Sequence, residues 1–405
     1  MAARRQVRTG VVGLAAAAVA FTAFAVPAHA ESGKAAEHAA SGKGHAATQR
    51  EMDALVAAGT PGVTAAAVEK GAVWKGTSGV GDLRTGAPRG TEDRFRMGSI
   101  TKAFVATVLL QMEAEGRLDL DDTVEHWLPG VVRGNGNDGR AITVRQLLNH
   151  TSGLFNYTDD TDFQHRNLLA GFPEHRYDTH SPRELIRVAL AHEPDFAPGA
   201  RHSYSNTGYV LAGLIIEKVS GHSYGHEVRE RVIEPLGLRS TSLPGTDPSL
   251  PKPSGRAYSK LSRDPAATKI YDVTENNMSW AWAAGEGVST TGDLNRFFSA
   301  LLRGELMPAK QLAAMKKTVP TPDNDLYSGY GLGLYKARTS CGAELWGHTG
   351  GTPGSGTEAL STSDGRHTLT YNVNGDWNNL GGVADAEFCG KVGADARKGR
   401  VLPQL

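Results

Sequence analysis

The spacing of apolar and polar residues changes character twice along the chain. At residues 49–58 apolar positions recur at helical spacing (Met52, Leu55, Val56), and Gly59-Thr60-Pro61-Gly62 breaks the run. Two short apolar runs, 63–68 and 72–80, flank Glu69-Lys70-Gly71 and predict a β-hairpin. The pattern then turns helical. Ala103, Phe104, Val105, Ala106, Val108, Leu109, Leu110 and Met112 form an apolar run closed near Glu115-Gly116. The stretch 118–124 offers a cap and a short helix stopped by Pro129-Gly130, and further helices are predicted in 143–150, 182–191, 206–220, 228–236 and 291–302, with Ser or Thr caps before some and glycine after others. From Tyr330 the pattern is strand-like again, over 330–335, 343–348, 357–361 and 368–374, and a helix over 383–389 closes it.

This order predicts an α/β (α+β) fold. An antiparallel sheet built from both chain ends is flanked by helices and carries a large, mainly helical inserted subdomain. The expected boundaries are 48–96 and 291–391 for the sheet subdomain, 97–290 for the helical one, and 392–405 for a loose tail. Two interlocked subdomains suit a chain of 405 residues.

Ahead of the first helix stands a basic start (Arg4, Arg5, Arg8), an apolar stretch over 11–26, and Pro27-Ala28-His29-Ala30. That is the layout of a secretory signal peptide over 1–30, cut after Ala30, with 31–47 as a flexible leader. The expectation is a secreted protein with no stable membrane insertion after cleavage. Formal charge is zero and falls to −3 once the three arginines of the signal peptide are removed. No block of like charge gives a footprint for nucleic acid. Outside the cytoplasm the two cysteines, Cys341 and Cys389, are expected to pair. Closing that loop contributes roughly 4 kcal/mol in the chain-entropy model. The fourteen histidines show no metal-ligand spacing. His165, His175, His180, His192 and His202 put no two on one helical face, and His226-Glu227 lacks the second histidine of a zincin pattern, so no metal is expected.

Candidate chemistry begins at Arg96-Met97-Gly98-Ser99-Ile100-Thr101-Lys102, where a turn feeds the apolar helix. Ser99 and Lys102 are three apart and share a helical face. A serine hydroxyl becomes a nucleophile when a base takes its proton, and a desolvated lysine amine is such a base. The free N–H groups of the helix start suit a developing oxyanion. Tyr204 and Asn206 follow in a loop ahead of another buried helix: a phenol able to relay a proton, and an amide able to orient Lys102. Trp346-Gly347-His348-Thr349-Gly350-Gly351 reads as a strand whose glycines let a substrate backbone approach, with His348 bringing a possible positive charge.

Ser-x-x-Lys, Tyr-x-Asn and His-Thr-Gly, in that order, resemble the serine penicillin-recognising family; a sister pattern carries Ser-Asp-Asn and Lys-Thr-Gly. The chain is similar to the class C β-lactamase branch, and closer still to the secreted actinomycete D-alanyl-D-alanine carboxypeptidase type. That likeness also rests on Arg94-Phe95-Arg96, Ser279-Trp280-Ala281, Tyr330-Gly331-Leu332-Gly333-Leu334 and Phe388-Cys389-Gly390-Lys391. The resemblance implies an acyl-enzyme on Ser99, with Lys102 as base, Tyr204 assisting proton transfer and Asn206 positioning. It places His348, Thr349, Gly350 and Gly351 along the substrate strand, and the backbone N–H groups of Ser99 and Gly351 in the oxyanion hole. Trp280 and Phe163, with Phe155 and Tyr157, are expected either to wall the cleft or to pack in the core.

Two positions depart from the carboxypeptidase type: Gly351 stands where Thr is usual, and Tyr335 where a basic residue helps bind the terminal carboxylate. The implied partners are a cell-wall peptide or a β-lactam small molecule, acted on by a monomer without cofactor. The first implied activity is a D-alanyl-D-alanine carboxypeptidase. The alternatives are a β-lactamase, esterase or D-amino-acid peptidase of the same fold, and a penicillin-binding sensor without turnover.

Overall fold

Segments from the two ends of the chain meet in one sheet because both are apolar at every second position and need a partner on each face. The computed structural model describes Ala2, residues 44–322, Asn324 and residues 326–392. The expected signal peptide, most of the leader and the tail beyond Val392 lie outside the described residues. Eight strands form the sheet: β1 (Gly62–Glu69), β2 (Ala72–Gly79), β3 (Val319–Pro320), β4 (Gly329–Tyr330), β5 (Tyr335–Arg338), β6 (Glu344–Thr352), β7 (Ser355–Thr362) and β8 (His367–Val373). Their order across the sheet is β2-β1-β8-β7-β6-β5-β4-β3, antiparallel throughout. The register sets Ala65 opposite Tyr371, and His348 opposite Ala359.

Along β8, Leu369, Tyr371 and Val373 point to one face and Thr368, Thr370 and Asn372 to the other, all buried. The first face packs under α1 (Ala46–Ala57), through Met52 and Leu55. The opposite face takes a later helix, Thr291–Leu302. Its Asn295 donates to Ala66 O (2.8 Å) and accepts from the Thr370 hydroxyl (2.8 Å), so a polar residue is buried there with both ends satisfied.

The helical part is built on α2 (Thr101–Ala114), whose residues from Thr101 to Leu110 are all buried. A helix apolar on every side has to be enclosed, and its neighbours supply the enclosure. They include α3 (Val144–Leu148) with a Thr143–Gln146 capping box, α4 (Pro182–Leu190) with a Ser181–Glu184 box, and α5 (Asn206–Ser220) stopped by left-handed Gly221. The helix over Thr291–Leu302 is α6, and α7 is Val383–Cys389, which joins α1 on the first face of the sheet. The disulfide Cys341–Cys389 (Cα–Cα 5.9 Å) ties the β5–β6 connection to the end of α7.

Three details differ from the sequence expectation. The leader ends before Ala46: Ala46 and Ala47 are helical, as good helix formers can be once the first turn is held. His45 holds it, bonded to Glu387 (2.9 Å) and stacked on Trp74. The strand expected over 330–335 is two strands, because Gly331 N–H donates to Leu334 O (2.7 Å) and turns the chain back between β4 and β5. The helix expected to start at Val228 starts at Tyr224 behind a Ser223 cap, and widens to a π turn over Arg229–Ile233.

Candidate active site

Ser99 is placed by a close crossing of two backbones. The short strand Phe95–Arg96 pairs with Val288–Ser289, and a 3-10 turn, Gly98–Ile100, leads into α2. Gly98 has φ +53°, and a Cβ there would stand 2.6 Å from Gly351 O and 2.8 Å from Gly351 N. A Cβ on Gly350 would meet Met97 O at 1.9 Å and Ser99 N at 3.0 Å. No side chain fits at either position. The two glycines thereby let β6 lie against the Ser99 turn, with the amides of Ser99 and Gly351 at the same crossing.

Lys102 is fully buried one turn along. Its Nζ lies 2.8 Å from Ser99 Oγ, 2.7 Å from Asn206 Oδ1 and 2.7 Å from Ala284 O. Burial holds its pKa well below the usual lysine range, since no carboxylate stands against the ammonium to offset desolvation. Asn206, the first residue of α5, is fixed by its own bonds. Its N–H donates to Asn156 Oδ1 (2.9 Å) and its Nδ2 to Thr158 Oγ1 (3.0 Å), leaving Oδ1 for Lys102. The Tyr204 ring stands 4.9 Å from Lys102 Nζ and its hydroxyl is bonded to Ser99. Burial raises the Tyr204 pKa well above 10, so at neutral pH it is a phenol.

Ser99, Lys102, Tyr204 and Asn206 thus meet through direct contacts. His348 stands behind them. Its Nδ1 is 2.5 Å from Thr349 O and its Nε2 2.7 Å from the Tyr330 hydroxyl. A nitrogen facing a carbonyl must carry the proton, so Nδ1 donates and Nε2 accepts from Tyr330. Burial, helped by Lys102, pushes the His348 pKa down to about 3. The positive charge considered for His348 from the sequence is therefore absent at neutral pH. Thr349, Gly350 and Gly351 follow on β6, all buried.

Tyr330 and His150 were not singled out as functional from the sequence. His150 Nδ1 accepts from Ser205 N–H (3.2 Å), and its ring lies 4.2 Å from Tyr204 and 4.6 Å from Tyr330, centre to centre. It backs the Tyr204 loop. Its one flag in the chain was its place in Asn149-His150-Thr151-Ser152-Gly153, read as a helix end; its φ of +59° is unusual for a histidine. Trp280 and Phe163 lie in the packed helical core. Trp280 Nε1 donates to Asn276 Oδ1 (3.2 Å), and its carbonyl accepts from the Tyr157 hydroxyl (2.8 Å). Phe163 sits edge-on to Tyr157, and Phe155 stacks on His192. The cavity next to the site, about 600 Å³, is lined by other residues, among them Gly351, Thr352, Leu261, Asp376 and Trp377.

Among the described residues, His222, His226 and Glu227 bring three possible ligand atoms within 4.8 Å of one another. Arg231 is bonded to Glu227 (2.6 Å), and Arg229 faces His226 Nδ1 (3.1 Å). Two guanidinium groups there oppose a further cation. No described helix is long and apolar enough to cross a membrane.

The family model described as Beta-lactamase matches residues 47–389. Penicillin-binding protein 4 of Amycolatopsis lactamdurans is 29% identical over 255 residues, which is 62% of this chain and 62% of that protein. The chain thus spans less than two thirds of that relative's length; a Bacillus subtilis penicillin-binding protein, 28% identical over 302 residues, is covered to 63%. Among solved structures, a D-stereospecific amidohydrolase from Streptomyces sp. is 54% identical with a TM-score of 0.82, covering 86% of this chain and 99% of its own. A D-amino acid amidase from Ochrobactrum anthropi SV3, solved with L-phenylalanine amide, is 30% identical with a TM-score of 0.71, covering 82% and 91%.

Proposed function

Because this chain belongs to the beta-lactamase family of serine hydrolases, we propose that Ser99 is its acylated nucleophile and that its substrates are D-aminoacyl amides and short D-peptides. One observation carries the mechanism: Lys102 Nζ lies 2.8 Å from Ser99 Oγ, fully buried and with desolvation holding its pKa low. As a neutral amine it gives two N–H bonds to Asn206 Oδ1 and Ala284 O and turns its lone pair to the hydroxyl of Ser99. Ser99 Oγ in turn accepts from the Tyr204 phenol.

As Oγ attacks the carbonyl carbon, its proton passes to Lys102. The oxyanion forms at the crossing, facing the N–H groups of Ser99 and Gly351. Collapse breaks the C–N bond, and the proton on Lys102 reaches the leaving amine by way of the Tyr204 hydroxyl. Water then attacks the ester through the same relay, and Lys102 ends neutral, as it began.

The substrate class is drawn from the two amidohydrolase neighbours and from β5, the strand paired with β6. A carboxypeptidase needs a cation for the terminal carboxylate. Tyr335 is buried and donates to Glu358 (3.1 Å), and Lys336 is held against Glu344 (3.7 Å). Arg338, the other cation of β5, is exposed and lies opposite Glu344, at the end of the strand away from Gly347 and His348. None of the three offers that cation, so the carboxypeptidase reading has less support than the amidase one. The signal-like start together with the disulfide supports secretion.

A fluorescent penicillin should label wild type covalently and leave Ser99→Ala unlabelled. D-Phenylalanine amide should turn over faster than the L form, and a peptide ending in D-Ala-D-Ala should gain nothing over its amidated form. An unlabelled wild type would remove the mechanism; a clear preference for the free carboxylate would restore the carboxypeptidase.

A further inference from the structure

β6 leaves the Ser99 crossing at Gly351 and runs on through Thr352 along the wall of the 600 Å³ cavity. That volume suits an aminoacyl or dipeptidyl group. Leu168, Leu261 and Trp377 give the cavity an apolar lining, and of its two carboxylates Asp264 is exposed and Asp376 half-buried. The Asp376 carboxylate accepts from Gly354 N–H (2.9 Å), from the Ser259 hydroxyl and from its own backbone N–H. Those bonds leave about one of its four lone-pair positions open, and none of them supplies a positive charge. Among the described residues no Lys, Arg or His forms an ion pair with it. Lys260 also lines the cavity, but its Nζ lies over the Trp377 ring at 5.9 Å, and Arg263 is exposed at the rim. Burial pushes the Asp376 carboxyl up to about 6, so near neutrality the group is anionic at a cost that an incoming cation would relieve.

We propose that Asp376 binds the free ammonium of the acyl half of the substrate, whose apolar side chain packs on Leu168, Leu261 and Trp377. The inference rests on the acyl-enzyme reading of Ser99 and adds a requirement to it. The enzyme takes N-terminally unblocked aminoacyl amides and peptides, and blocked ones poorly. An acylated nitrogen has no charge to give Asp376 and would bury that carboxylate with its charge unpaired.

The test compares D-phenylalanine amide with N-acetyl-D-phenylalanine amide on wild type and on Asp376→Asn, which keeps an acceptor for Gly354 N–H. Wild type should favour the free amine at least tenfold in kcat/KM. Asp376→Asn should lose most of that preference through a higher KM for the free amine, with little change on the acetylated substrate. Labelling of both proteins by fluorescent penicillin reads Ser99 separately. If neither labels, the acyl-enzyme reading fails and the pocket assignment falls with it. If both label, and wild type shows no preference for the free amine or Asp376→Asn keeps it, the pocket assignment alone is overturned. A melting temperature for Asp376→Asn within a few degrees of wild type excludes misfolding as the cause of lost selectivity.

Discussion

Replacing Asn206 by Asp puts a carboxylate where a neutral amide now touches Lys102, in nearly the same volume. At the 2.7 Å separation of Nζ and Oδ1, two unit charges attract by about 6 kcal/mol at an effective dielectric of about 20. That corresponds to about 4 pKa units. Desolvating the new carboxylate takes back several kcal/mol, which leaves a net rise of about 2 units for Lys102. Thr158, which now accepts from Asn206 Nδ2, can rotate its hydroxyl to donate to the new oxygen, so the pair need not lose that bond. The sign follows from the role of the base. Lys102 works deprotonated, so raising its pKa moves the rising limb of the acylation rate to higher pH. The assay is single-turnover acylation by a chromogenic cephalosporin between pH 5 and 10, on folded protein checked by melting temperature. Asn206→Asp should be impaired near the wild-type limb and recover at alkaline pH, with the limb displaced by about 2 units. A variant that is folded and active with an unmoved limb would show that Lys102 is not the base.

Tyr204→Phe keeps the ring over Lys102 and removes the hydroxyl bonded to Ser99; amide turnover should fall by ~100-fold to ~10,000-fold with the melting temperature unchanged. His348 and His150 are buried neutral, with pKa values held below the unfolded value of about 6.5, so the unfolded chain binds more protons as pH falls. Stability is full above the unfolded pKa and is lost below it, by about 2 kcal/mol at pH 5 from His348 with His150 acting in the same direction, which urea titrations at pH 7 and pH 5 will read as a drop in midpoint. A midpoint unchanged between those pH values would contradict the buried neutral state. Replacing Cys341 and Cys389 together by Ala should cost about 2–4 kcal/mol of unfolding free energy and leave the acylation rate alone, because the bridge ties α7 to the sheet away from Ser99.

The elements that were legible in the sequence are those whose burial has a period. α2, α4, α5 and α6 follow from apolar spacing and from Ser, Thr or Gly at their ends, and β7 and β8 from alternation. What escaped depended on tertiary partners. Ala46 and Ala47 join α1 because His45 finds Glu387, which lies 342 residues away. The break between β4 and β5 depends on a single turn bond inside an apolar run, where strand and turn share the same hydrophobicity. At the site, Ser99 and Lys102 share one helical turn and were visible as a pair, whereas His150 and Tyr330 act through rings packed on Tyr204 and His348. Neither residue has a spacing that announces it, because neighbours from four segments define their places.

The same reasoning explains why the acyl chemistry reads more sharply than the substrate. The nucleophile and its base depend on desolvation and on fixed hydrogen-bond directions, both set by the core: with Asn206 Nδ2 on Thr158, Oδ1 has one direction left, and it points to Lys102. Burial lowers the pKa values of Lys102 and His348 and raises that of Tyr204, each toward its neutral form, so in the proposed mechanism Ser99 is activated without a carboxylate beside it. Charge stands on the wall of the neighbouring cavity, at Asp376, Lys260 and Arg263, where the proposed substrate would enter. Those residues sit in loops, with no period and no cap to mark them. Specificity in this chain is therefore a property of loop placement around a neutral, buried acylation centre. Exchanging the loop over 259–265 or 376–379 should change which acyl groups are accepted while leaving the labelling of Ser99 intact.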